Sequence, residues 1–177
     1  MAKRIFSTVV LWLFISAVLW FFRTRGALVL VGLISLLTLR EFYQLMSAAG
    51  WAPFTKLGML FGTLITLSPW AEIQFGFPAH PLLALAAVIV AVRLLGERPP
   101  EKRVESLAST LFGLVYVGLL LQYLVRILTP LPTDTITPDG RLLLCLWLIA
   151  VAKFCDVGAL LTGLAIGKHK MSPVISP

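Results

Sequence analysis

The sequence predicts an all-α fold, a polytopic membrane bundle of about six transmembrane helices with both termini in the cytoplasm. Three observations point there. Of the 177 residues, 59% are hydrophobic and only 13% charged. The mean hydropathy is +0.95. The apolar residues also gather in long runs instead of alternating with polar ones. A soluble domain of this size could not hide that much apolar surface, so lipid must act as part of the solvent.

The elements follow in order. Lys3 and Arg4 precede an apolar run over 5–22, which is longer than a signal-peptide core and is read as a retained first span. The second span covers 26–46, with Arg40 and Glu41 near its end as a candidate pair. The third, 54–75, is weakened in its far half by Pro69 and Glu72. The fourth, 79–95, is short, so a tilted or re-entrant path would also suit the third and fourth. The fifth, 106–128, is the clearest, and the sixth runs over 141–166. Together they form a single transmembrane domain over 1–177.

Charge sets the expected orientation. Lys3, Arg4, Arg40, Lys56, Arg93, Arg98, Lys102, Arg103, Lys168 and Lys170 fall on one side, and Arg23, Arg25, Arg126 and Arg141 on the other. Cytoplasmic loops carry the excess of Lys and Arg, which places both termini inside. The segment 96–103 is then a mixed-charge cytoplasmic connector, either simply solvated or in contact with headgroups or a partner, and 129–140 an external turn region. Trp20, Trp51 and Trp70 suit the interfacial belts.

The net charge of +7 does not imply nucleic acid, because the cations cap apolar runs instead of lining one groove. Cys145 and Cys155 lie ten residues apart on one helix, about 15 Å and beyond disulfide reach. His80 sits between prolines with no partner in view. No Ser/His/Asp set, zinc spacing or redox motif occurs.

The chemistry gathers at the carboxyl end. Lys153 and Asp156 are three residues apart within the sixth span, so both share one helix face. A charge near a bilayer centre costs about 2.5–3.5 kcal/mol on insertion scales. Pairing offsets part of that cost, and a structural ion pair is one reading. The other is a water-filled cavity open to the cytoplasm, with Asp156 as a metal or cation ligand.

Ala159, Gly163 and Gly167 give small-xxx-small spacings that permit close helix approach. Gly163 to Lys168 has the outline of a P-loop, but its glycines are one residue too close and no strand precedes it. Lys168, His169 and Lys170 follow, either as an interfacial anchor or as a phosphate-binding cluster with the Ser172 and Ser176 hydroxyls. Pro173 and Pro177 keep this tail out of helix.

The run Asp156-Val157-Gly158-Ala159, followed by Gly167-Lys168-His169-Lys170-Met171-Ser172-Pro173-Val174-Ile175-Ser176-Pro177, resembles the phosphatidate cytidylyltransferase (CDP-diacylglycerol synthase) family. A looser likeness extends to Lys3-Arg4-Ile5 and Arg40-Glu41-Phe42. The resemblance implies transfer of a cytidylyl group from CTP to phosphatidate, giving CDP-diacylglycerol and pyrophosphate with Mg²⁺, at the inner cell membrane. It further implies that Asp156 holds the metal, that Lys153 supports it, and that Lys168, Lys170, Ser172 and Ser176 bind substrate. The expected partners are CTP, phosphatidate and membrane lipids; a homodimer stays open, and nucleic acid is not expected.

Two features depart from the family pattern. Leu160 stands where an aromatic residue often follows, and the family's carboxyl-terminal signature of K-D, H-G-G and D-R-x-D elements does not occur in these residues. The expectation is therefore a portion of such an enzyme, inactive by itself, whose catalytic residues are unknown. A non-catalytic lipid-binding or scaffolding protein and a small permease are the alternatives.

Overall fold

The computed structural model describes residues 2–76, 81–130 and 135–166. Among them every regular element is helical: α1 (Ala2–Ala48), α2 (Thr55–Phe75), α3 (Pro81–Glu97), α4 (Pro100–Gly113), a π turn (Leu114–Leu119), α5 (Leu120–Leu128) and α6 (Pro138–Ile166). Among the described residues three stretches are long and apolar enough to cross a membrane: Leu13–Ala48, Pro100–Leu128 and Pro138–Gly163. The sequence suggested about six spans. Helices α2 and α3 do form where the third and fourth were expected, but they are not among these three, and α3 has only 17 residues. The chain divides into two compact units, Met1–Leu142 and Leu143–Pro177.

Helix α1 is interrupted where the first two expected spans meet. Arg23 leaves the helical region at φ 46°, ψ −130°. A Cβ placed on Gly26 would lie 2.9 Å from the Val18 carbonyl oxygen. Eight residues of unbroken helix span about 12 Å, so the chain folds back here, and glycine is needed for the close approach. The exposed Arg23 guanidinium donates from Nη1 to both Asp139 carboxylate oxygens at 2.8 Å, which ties the break to the first turn of α6.

Helix α2 is the hub of the first unit, packing on α1, α3, α4, the π turn and α5. It carries Pro69 in its interior, buried, where the missing N–H would ordinarily leave the Ile65 carbonyl without a partner. The Ser68 hydroxyl donates to that carbonyl at 2.7 Å, so the helix continues to Phe75. Glu72, near its end, pairs with Arg126 of α5 at 3.8 Å. The αL residue Gly76 (φ 70°) ends the helix with its N–H on the Glu72 carbonyl.

The core is apolar but threaded by hydroxyls. Phe61, Ile65, Ala86 and Leu114 form one cluster, and Leu39, Tyr43 and Val117 a second. Between α1 and α2 the Ser35 and Thr66 hydroxyls meet at 2.8 Å. Thr66 Oγ1 also lies 2.9 Å from the Gly62 carbonyl and 3.1 Å from that of Gly118. Its one proton serves those carbonyls, which makes Ser35 the donor of the pair. The π turn contributes the Gly118 carbonyl, and its backbone packs so closely that a Cβ on Gly118 would lie 2.9 Å from the Gly62 oxygen.

The loop expected over 96–103 is much shorter. Helix α3 ends at Glu97 and α4 begins at Pro100, leaving only Arg98 and Pro99 between them. Proline in the first turn followed by Glu101 is a strong helix start, which outweighs the charge density of the segment. Arg103 turns back to cap α3, with Nη2 on the Leu95 carbonyl and Nε on that of Arg98, both at 3.1 Å. Arg40 and Glu41, a candidate pair in the sequence, form no ion pair with each other among the described residues, because adjacent helical residues face different directions.

Candidate functional site

Helix α6 positions the charged pair singled out in the sequence. Thr137 caps its start, its hydroxyl oxygen accepting from the Gly140 N–H at 3.1 Å. Proline at the first position and Asp139 in the first turn are standard helix-start chemistry. The helix then runs without a break through Lys153 and Asp156 to Ile166, three residues before His169. The long apolar stretch has no interior proline, so nothing stops it earlier.

Lys153 Nζ lies 3.9 Å from Asp156 Oδ2, at the outer edge of an ion pair. Both side chains are well exposed, 69% and 76%. The helical spacing thus brings the two charges together as expected. The neighbouring residues Phe154, Cys155, Val157 and Gly158 are exposed as well, so the helix itself does not enclose the carboxylate. Asp156 therefore keeps lone pairs available for a further ligand.

A Mg²⁺ ion commonly takes one or two carboxylates and fills its remaining positions with water and substrate phosphates. Asp156 fits the role of such a single ligand. Among the described residues no group of three or more His, Cys, Asp or Glu side chains is assembled for a metal. The substrate-binding candidates Lys168, Lys170, Ser172 and Ser176 lie outside the described residues. Both cysteines are free thiols.

Elsewhere, cavities lined by described residues open in the first unit, and two of them bear on function. One, about 480 Å³, is apolar and lined by Met46, Trp51, Ala108 and Phe112 among others. The second, about 230 Å³, is polar and lies where α2 begins and α3 ends. In the sequence Lys56 and Arg93 were read as orientation signals, and Arg98 also as part of a mixed-charge connector. No periodic pattern links residues 54–57 to 93–98, so their convergence is a tertiary feature that spacing could not reveal.

Among the described residues every regular element is helical, three stretches are long and apolar enough to cross a bilayer, and the last of them carries a lysine–aspartate pair, which is the character of an α-helical membrane protein. The chain belongs to the cytidylyltransferase family, whose model matches residues 2–177. It is 26% identical over 174 residues to a phosphatidate cytidylyltransferase of Synechocystis sp., an alignment covering 88% of this chain and 56% of the relative. The chain thus spans little more than half the length of that curated relative. No solved structure matches the chain. The resemblance read from residues 153–177 accordingly extends across nearly the whole sequence.

Proposed function

We propose that this protein works in phospholipid synthesis as a phosphatidate cytidylyltransferase, at the inner cell membrane, converting CTP and phosphatidate into CDP-diacylglycerol and pyrophosphate. A phosphate oxygen of phosphatidate forms the new bond to the α-phosphorus of CTP. The bond from that phosphorus to the bridging oxygen breaks, and pyrophosphate departs with it. The nucleophile is already anionic near neutral pH, so no strong base is required. What the reaction needs is alignment of two polyanions and neutralisation of their charge.

The residues of α6 and the segment after it supply groups of the right kind. Asp156 would hold Mg²⁺, which when bound would neutralise triphosphate charge. Lys153, 3.9 Å away, would help orient that carboxylate. Lys168 and Lys170 would meet phosphate oxygens, and Ser172 and Ser176 would donate hydroxyl hydrogen bonds to them. The observation that most supports this reading is the family match over 2–177, joined to the Lys153–Asp156 pair that the helix presents at 3.9 Å.

The test uses purified protein in phosphatidate-containing mixed micelles with radiolabelled CTP and a magnesium titration. The 1–177 chain is expected to form no CDP-diacylglycerol, and a form with the full length of the relatives to be active. In that longer form Asp156→Asn should lower kcat by roughly 100-fold or more and shift the magnesium dependence. An Asp156→Asn enzyme with an unaltered magnesium titration would remove this residue from the site.

A further inference from the structure

The polar cavity of the first unit is lined by Lys56, Arg93, Arg98, Glu97, Phe54 and Thr55 among others. Its single carboxylate is already engaged, since Glu97 Oε1 lies 3.1 Å from Arg93 Nη1. Lys56 and Arg98 have no acidic partner among the described residues. Arg98 is held in place by its guanidinium, 4.7 Å above the centre of the Phe54 ring. Its Nε is nevertheless buried and has no hydrogen-bond acceptor. A buried donor on a fixed cation, left without an acceptor, asks for one from outside the chain.

The backbone at this place favours the same kind of ligand. Helix α2 starts at Thr55 with no side-chain cap. The Phe54 N–H is taken by the Thr110 hydroxyl, and the Gly58 N–H by the Phe54 carbonyl. The N–H groups of Thr55, Lys56 and Leu57 lie in the first turn, where no intrahelical acceptor exists. These three residues line the cavity alongside two uncompensated cations, at the positive end of a helix of 21 residues. At the end of α3 the Leu95 carbonyl is already taken by Arg103 and the Leu94 carbonyl by the Arg98 N–H, so neither cation is needed for these two.

We infer that this cavity is a binding site for a phosphate group, with Lys56 and Arg98 as its charged ligands. The volume of about 230 Å³ accommodates one phosphate and its immediate substituents, not a nucleotide. A cationic cavity at the ends of two apolar helices suits a bilayer headgroup. The phosphate of an anionic phospholipid is the favoured source, and a soluble phosphate the alternative. The site lies wholly within the first unit and does not depend on Asp156 or on the proposed reaction.

The experiment is native mass spectrometry of the 1–177 chain in neutral detergent, titrated with phosphatidylglycerol or phosphatidylcholine, with and without 10 mM inorganic phosphate. Lys56→Gln and Arg98→Gln should each weaken phosphatidylglycerol binding roughly fivefold. Arg98→Lys, which keeps the charge, should recover part of the loss, and Arg25→Gln, remote in sequence from the cavity, should leave binding within about twofold. Lys56 packs against nothing it must hold, so its variant stays informative if Arg98→Gln fails to fold. Competition by inorganic phosphate would identify a soluble phosphate as the ligand, and its failure to compete a lipid headgroup. Equal retention of the two lipids with no effect of phosphate would overturn the inference. So would phosphatidylglycerol binding that is unchanged in Lys56→Gln.

Discussion

The Tyr43 hydroxyl donates to the Thr110 backbone carbonyl at 2.9 Å, joining α1 to α4 in the centre of the first unit. Thr110 is itself a junction. Its hydroxyl donates to the Ser106 carbonyl at 2.6 Å and accepts from the Phe54 N–H at 2.9 Å. Tyr43 is fully buried, and Gly58 and Gly113 flank it because a Cβ at either position would run into its ring. Removing the phenolic oxygen (Tyr43→Phe) should cost about 1 kcal/mol, the net worth of one hydrogen bond. Thr110→Val should cost more, about 2 kcal/mol, because it also orphans a buried N–H. Denaturation in mixed SDS micelles measures both, and equal losses would argue against the junction.

Ser68 and Pro69 form a compensated pair. Ser68→Ala removes the hydroxyl that donates to the Ile65 carbonyl, at a cost of about 1–2 kcal/mol. The double variant Ser68→Ala/Pro69→Ala returns a backbone N–H to position 69 and should recover most of that loss. The comparison is a melting temperature for each variant in the same detergent. A double variant no better than the single would mean that the serine acts through something other than this carbonyl.

Gly118 and Gly96 should respond in opposite ways to alanine. At Gly118 the new methyl meets the backbone of Gly62 at 2.9 Å, and backbone cannot step aside as a flexible side chain can. Overpacking there should cost about 1–3 kcal/mol. At Gly96, in the last turn of α3, nothing lies within 4 Å. Alanine there should be neutral or stabilise by up to about 1 kcal/mol through backbone entropy. Thermal unfolding of the two variants separates the cases.

The Arg23–Asp139 contact should contribute little by itself despite its short distance. Both side chains are more than 60% exposed, at 69% and 63%. A double-mutant cycle with Arg23→Ala and Asp139→Ala should give a coupling of about 0.2–1 kcal/mol, smaller in 0.5 M salt. A coupling several times larger and insensitive to salt would show that the pair is screened from solvent when lipid surrounds it.

Much of the helical organisation was legible because hydrophobic runs of membrane length have few other solutions. The runs over 5–22 and 26–46 became the two arms of α1, with Arg23 and Gly26 marking the break. Boundaries failed where local chemistry beat charge: Pro100 and Glu101 start a helix inside a segment read as a connector. The contact between Lys153 and Asp156 was readable because it is set by helical spacing alone. What surrounds them was not, since helical spacing says nothing of what packs on α6. The hydroxyl contacts of Ser35 with Thr66 and of Tyr43 with Thr110 link residues 31 and 67 apart in sequence. Nothing in a linear pattern marks such partners, and the same holds for the cavity of Lys56 and Arg98.

The wide turn at Leu114–Leu119 also fixes the rotational phase of everything after it. A π turn accommodates one residue more than an α-helical turn, and each residue advances a helix by about 100°. Deleting a single position there would let the rod from Pro100 to Leu128 close into regular helix, swinging its last two turns round by that angle. Val125 and Leu128 would leave the interior, and Arg126 would no longer face Glu72. The apparent irregularity thus works as a spacer that keeps two halves of one rod aimed at the same neighbour.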